Sequence, residues 1–160
     1  MKRKYIIFTL LTVITLAGVS GWYFWSKPQT KAVEPEMKPI VCAKREEFLP
    51  LINAERAKVG SPAVIEDPEL MKIAQDRAVK LDGKMDNHEG FHQLVKERIL
   101  PLKYLNFGEN LAMGCKTPEF IHKWMISKVG HRETLLNKRF THIGVGLYKD
   151  VAVTIYGEPK

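Results

Sequence analysis

The first 31 positions contain no aspartate or glutamate, and residues 5–25 carry no charge of either sign. That absence excludes an ordinary solvated helix at the N-terminus. The stretch YIIFTLLTVITLAGVSGWYFW follows Lys2, Arg3 and Lys4. A basic start and an apolar run of this length suit a membrane-targeting segment, since about 20 helical residues span a hydrocarbon core of roughly 30 Å. A cleaved signal has a shorter apolar region of about 7–15 residues ending in small side chains. Ala17, Gly18, Ser20 and Gly21 are small, but Trp22, Tyr23, Phe24 and Trp25 follow them, as at the outer interface of a spanning helix. The expectation is an N-terminal transmembrane helix with its basic end cytoplasmic and the rest of the chain extracytoplasmic. Cleavage and secretion is the alternative.

Excess basic charge is also lacking once this segment is set aside. The chain carries +7 overall, but five of its 25 basic residues fall in the first 31 positions; from Ala32 onward 20 basic face 18 acidic residues, a balance of +2. A nucleic-acid binder wants a basic stripe on its folded domain, so no nucleic-acid partner is expected. Only two cysteines occur, Cys42 and Cys115. An oxidising compartment permits a disulfide between them, and closing a loop of roughly 70 residues stabilises by about 4 kcal/mol on chain entropy alone. Two buried thiols are the alternative reading. No internal repeat or low-complexity tract is visible. G-x-S-x-G does not occur, which removes the local signature of an α/β-hydrolase nucleophile. H-E-x-x-H occurs once, at His88-Glu89-Gly90-Phe91-His92, but it straddles a polar loop and the start of a helix rather than lying on one helix face as a zinc protease requires.

What remains divides into three: an anchor or signal at 1–25, a linker at 26–41 rich in proline and charge, and one domain at 42–160, a size that buries a core unaided. Helical spacing of Phe48, Leu51, Ile52 and Val59 predicts a helix over 44–59 stopped by Gly60. Asp67-Pro68-Glu69 opens a second helix by capping logic, with Leu70, Ile73, Ala74, Ala78 and Leu81 as its stripe. A polar loop covers 85–90. A helix is expected over 91–100, then a loop running into an apolar strand over 104–114. Thr117-Pro118-Glu119 starts a helix, with Phe120, Ile121, Trp124 and Met125 on its core side, broken at Gly130. One or two helical turns are expected over 131–137. Ile143, Val145 and Leu147, the turn Lys149-Asp150, and Val151, Val153 and Ile155 read as an antiparallel hairpin. Helices packed on such a sheet make an α+β, α-β-α layered domain.

Several segments, in order, resemble the CAP superfamily, the cysteine-rich secretory, antigen 5 and pathogenesis-related group. Gly108-Glu109-Asn110-Leu111-Ala112 resembles its "GEN-(I/L)-A" signature. Trp124-Met125-Ile126-Ser127, Gly130-His131-Arg132 and Leu135-Leu136-Asn137 resemble the bacterial "W-M-N-S-P-G-H-R-x-N-I-L-N". Phe140-Thr141-His142-Ile143-Gly144-Val145-Gly146 resembles "F-T-x-I-G-V-G". Leu51-Ile52-Asn53-Ala54-Glu55-Arg56 and Gln75-Asp76-Arg77-Ala78 resemble the family's "L-(I/V)-N-x-x-R" and "A-Q-x-x-A". The resemblance, of the bacterial SCP-like extracellular type, implies an α-β-α sandwich with a short antiparallel sheet and a central cleft. That cleft would hold His88, Glu109 and His131, with Ser127 where animal and plant members carry a second acid.

Two imidazoles and a carboxylate are the ligand types of an open Zn²⁺ site. So His88, Glu109 and His131 are the expected metal set for Zn²⁺ or another divalent cation. The bland readings stand beside this one. Glu109 would orient a histidine through hydrogen bonds, and His131 at a helix start would serve as a neutral hydrogen-bonding residue. His92 and His122 would be surface histidines, His142 structural, and Trp124 core. The sequence departs from the family pattern in a shortened histidine loop at 85–90 and in Lys128-Val129 where one proline is usual. The function expected is a non-enzymatic binding module for a lipid, peptide or protein ligand. The alternative is a metal-assisted, peptidase-like hydrolase acting on envelope or extracellular substrates.

Overall fold

The computed structural model describes residues 43–160, which lie within one compact unit, Lys38–Lys160. The apolar run at 5–25, the linker at 26–41 and Cys42 fall outside the described residues. Among the described residues no helix is long and apolar enough to cross a membrane.

A 3₁₀ turn, Arg45–Glu47, leads into helix α1, Phe48–Lys58. Strand β1, Ile65–Glu66, precedes α2, Pro68–Leu81, and α3, Glu89–Lys96. Strand β2, Tyr104–Met113, is followed by α4, Thr117–Met125, and α5, His131–Leu136. The chain closes with β3, His142–Tyr148, and β4, Val151–Pro159. The sheet order is β1-β3-β4-β2. The hairpin forms as expected, with Lys149 in left-handed backbone at its turn.

The sheet is mixed, which corrects the expectation of a short antiparallel one. β1 runs parallel to β3, pinned by Ile65 N–H to Thr141 O and Asp67 N–H to Ile143 O, both 3.0 Å. Two exposed residues are too few to show any alternation, so nothing in the sequence marked them as a strand. β2 and β4 are long, ten and nine residues.

β4 is buried on both faces, which makes the domain three-layered. Val151, Val153 and Ile155 pack with Leu70, Ala74, Ala78 and Leu81 of α2 and Phe91 of α3. Ala152 and Tyr156 face Phe48 and Ile52 of α1, Phe120 and Trp124 of α4, and Leu135 of α5. The helical layer on one side therefore holds α2 and α3, and that on the other holds α1, α4 and α5. α2 approaches closely because β3 presents Gly144 and Gly146 to it. A Cβ at Gly144 would lie 2.1 Å from the Leu70 carbonyl, and one at Gly146 2.0 Å from that of Ala74.

The cap at Asp67 is as expected: its Oδ1 accepts from the N–H groups of Glu69 and Leu70, each at 3.0 Å. Thr117 does not cap α4. Its hydroxyl instead accepts from Lys44 N–H and donates to Lys44 O, at 3.3 and 3.2 Å, joining the start of α4 to the segment before α1. α4 ends at Met125 rather than at Gly130, because Ile126 and Val129 face solvent, 63% and 78% exposed, and cannot extend its buried side. α3 is shorter than its apolar pattern suggested, since Arg98 adopts left-handed backbone.

Candidate functional site

β2 is an edge strand, so the two helical layers meet along it. Glu109 and Leu111 point to the α2 side. Asn110, between them, points to the other, where its Nδ2 donates 2.9 Å to the carbonyl of His131, the first residue of α5. α5 is held from behind by Arg56, fully buried in α1. Its guanidinium donates to the carbonyls of Pro62, Leu135, Asn137 and Phe140 at 2.6–3.0 Å.

His88 comes from the opposite layer. Asn87 and His88 are consecutive non-glycine residues in left-handed backbone, φ 51° and 69°, a conformation costing roughly 1–2 kcal/mol each. Asp86 offsets that cost. Its Oδ1 accepts from His88 N–H at 3.2 Å and its Oδ2 from Gly90 N–H at 3.0 Å. Gly90 is required on steric grounds, because a Cβ there would lie 2.7 Å from Arg77 Nη1.

The structure brings His88, Glu109 and His131 together, in series. Glu109 Oε2 lies 2.8 Å from His88 Nδ1, and His88 Nε2 lies 3.1 Å from His131 Nε2. Behind Glu109 stands Arg77, whose Nε donates to Oε1 at 3.0 Å and whose Nη2 donates to Asp86 Oδ1 at 2.7 Å. The Arg77 and Glu109 side chains are 2% and 1% exposed, that of His88 27%. The solvent-facing end of the series is thus the histidine pair, in a cleft of about 210 Å³ walled by Phe91 and Val129, with His92 and Thr134 at its margin. Burial, then the neighbouring His88, pushes the His131 pKa down against the opposing pull of Glu109. Burial alone would lower Arg77, but Asp86 and Glu109 outweigh it and the net shift is upward. Burial would raise Asp86, but the Arg77 bond and the N–H of Gly90 outweigh it and hold it low.

Ser127 is not brought to the cleft. The turn after α4 is tight enough that its Oγ accepts from Val129 N–H at 3.3 Å. His92 lines the cleft margin, whereas His142 bonds Thr141 at 2.9 Å and His122 is exposed on α4. Arg77 and Asp86 escaped the sequence reading. The available signal was Arg77's place on the buried face of α2, among Ala74, Ala78 and Leu81: a charge there demands a buried counter-charge.

Among the described residues no group of three or more His, Cys, Asp or Glu side chains is disposed to hold a metal. Glu109 lies behind His88, not beside it. The two imidazoles alone suit a divalent ion better, because two nitrogens at about 2.0–2.1 Å on a tetrahedral ion are roughly 3.3 Å apart, close to the 3.1 Å seen here. His88 and His131 would then be the ligands, and Glu109 the carboxylate that orients one of them.

A three-layered α-β-α domain is the architecture that the sequence motifs implied, its mixed sheet apart, and comparison with known proteins agrees on family and fold. The chain belongs to the CAP family, the cysteine-rich secretory protein family, which it matches over residues 49–154. It is 34% identical over 112 residues to the uncharacterized protein YkwD of Bacillus subtilis, covering 66% of this chain and 43% of that protein. In fold it is similar to an extracellular SCP-domain protein of Bacillus anthracis (TM-score 0.61, 22% identity, 71% of this chain and 39% of that one). It is also similar in fold to an outer surface protein of Borrelia burgdorferi (TM-score 0.62, 22% identity, 72% and 92%). The chain spans less than half the length of the Bacillus proteins it matches.

Proposed function

We propose that this CAP domain works outside the cytoplasm as a binding module, its cleft receiving a segment of a peptide or lipid against the His88–His131 pair. The observation that carries this reading is the series of side chains ending in that pair. A buried ion pair backs two imidazoles whose Nε2 atoms lie 3.1 Å apart, in a cleft lined by residues of both helical layers. Phe91 and Val129 offer apolar walls, so the cleft suits a polar group flanked by apolar ones. At about 210 Å³ it is smaller than the roughly 300–1,000 Å³ of sites that enclose a whole small molecule, which favours part of a longer ligand lying across it. The extracytoplasmic location is supported by the apolar run at 5–25 and by the extracellular and outer-surface relatives. The same run is the proposed anchor. A divalent ion on His88 and His131, Zn²⁺ above others, is a proposed bridging element that would polarise a ligand oxygen.

The test is chemical-shift mapping with short mixed-sequence peptides and, separately, phosphatidylglycerol micelles. Perturbations centred on Phe91, His92, Val129 and His131, retained in Glu109→Gln, are expected. Shifts confined to other faces would overturn the reading. A metal-assisted hydrolase is less well supported, because catalytic zinc ordinarily takes three protein ligands and Glu109 is committed to Arg77 and His88. Calorimetry with Zn²⁺ at pH 7.5 separates the two. Heat of binding lost in both His88→Ala and His131→Ala places the ion on the pair, and no heat in the parent chain removes the basis of a hydrolase.

A further inference from the structure

We infer that Arg77 is a positioning residue of the cleft: it fixes Glu109 as a pure acceptor and thereby dictates which nitrogen of His88 carries the proton. This rests on the reading of the histidine pair as the binding element.

The argument begins with donor counting. A guanidinium only donates, and an ionised carboxylate only accepts. Arg77 reaches both oxygens of Glu109, Nε to Oε1 at 3.0 Å and Nη2 to Oε2 at 3.5 Å. Both side chains are almost wholly out of water. Each charge in that position is tolerated because the other is present. With Glu109 an acceptor, the 2.8 Å contact to His88 Nδ1 requires that nitrogen to donate. A neutral imidazole with its proton on Nδ1 has a lone pair on Nε2. The 3.1 Å contact between the two Nε2 atoms then requires His131 Nε2 to donate. One guanidinium two residues removed from the cleft thus decides the donor and acceptor pattern presented inside it: His88 offers its Nε2 lone pair, while His131 turns its proton toward His88.

Asp86 extends the same device to the backbone. The Nη2 group that touches Glu109 also holds Asp86 Oδ1 at 2.7 Å. Asp86 in turn accepts from the N–H groups of His88 and Gly90, bracing the loop in which Asn87 and His88 are left-handed. Arg77 therefore ties the carboxylate on β2 to the loop carrying the histidine that reads it. A residue that merely filled space would leave the tautomer of His88 unmoved, and this is the readout to use.

The full chain, ¹⁵N-labelled at histidine and stripped of metal with EDTA, is placed in detergent micelles at pH 7.5. Long-range ¹H–¹⁵N correlation then reports both ring nitrogens of each histidine. The parent chain is expected to show His88 with its proton on Nδ1 and His131 with its proton on Nε2. Arg77→Met should shift His88 to a mixture of tautomers or to the Nε2 form, and Arg77→Lys should restore much of the parent pattern. If Arg77→Met fails to fold, the charge-matched double variant Arg77→Met/Glu109→Gln serves in its place and should also lose the single tautomer, since an amide both donates and accepts. An Nε2-protonated His88 in the parent chain overturns the inference. So does an unchanged Nδ1 form in a folded Arg77→Met or double variant. All arms are read without ligand or metal, so they stand apart from whether the cleft binds anything.

Discussion

Glu109 is worth more as a partner than as a reactive group. Removing it leaves the Arg77 guanidinium, 2% exposed, facing only Asp86. Breaking a buried pair by deleting one member costs about 3–5 kcal/mol, so Glu109→Ala should lower the unfolding free energy by that amount and shift the urea midpoint down in proportion. A midpoint within error of the parent would show the pair to be dispensable. Asp67 makes a separate, pH-dependent contribution. Burial would raise its pKa, but the bond from Lys103 at 2.7 Å and the Leu70 N–H outweigh it and hold it low. A carboxylate lowered on folding stabilises fully above its unfolded value, and that stability is lost as pH falls through the folded one. Asn also caps helices well, so Asp67→Asn isolates the charge. The two chains should differ in urea stability at pH 7 and converge below the parent's acid transition. Parallel curves down to pH 2 would contradict this.

At the scale of elements, the contact between α2 and β3 is the most sensitive to change. Gly144 and Gly146 leave no volume for a methyl group against the α2 backbone, and neither a strand nor a helix backbone can rotate away as a side chain would. Overpacking typically costs about 1–3 kcal/mol. Gly144→Ala is expected at the upper end of that range, with the amide shifts of α2 displaced along its length; a thermal midpoint unchanged from the parent would refute the close contact. The elements with local causes were legible beforehand: the Asp67 cap, the stripe of α2 and the hairpin about Lys149-Asp150. Those with remote causes were not. β1 exists because Thr141 and Ile143 lend it partners, and Thr117 turned from capping to Lys44.

For the whole molecule, the two cysteines bear on how the start of the domain is held to the segment before α4. Lys44 and Thr117 are hydrogen-bonded, and Cys42 and Cys115 each precede one of them by two residues. This proximity supports the proposed Cys42–Cys115 disulfide. Thiol titration of the chain, unfolded without reductant, should find no free thiol, and Cys115→Ser should lose about 4 kcal/mol on loop entropy. Two titratable thiols in protein recovered from an oxidising compartment would end the proposal.

The sequence by itself determined the family, the layered α+β plan and the identity of the residues His88, Glu109 and His131, because caps, periodicities and short motifs are written in neighbouring residues. Only the tertiary structure decided their order in space, Arg77 and Asp86 included, and the exclusion of Ser127. Hydrogen bonds among side chains 21 to 43 positions apart follow from how β2 separates two helical layers, and no local pattern encodes that.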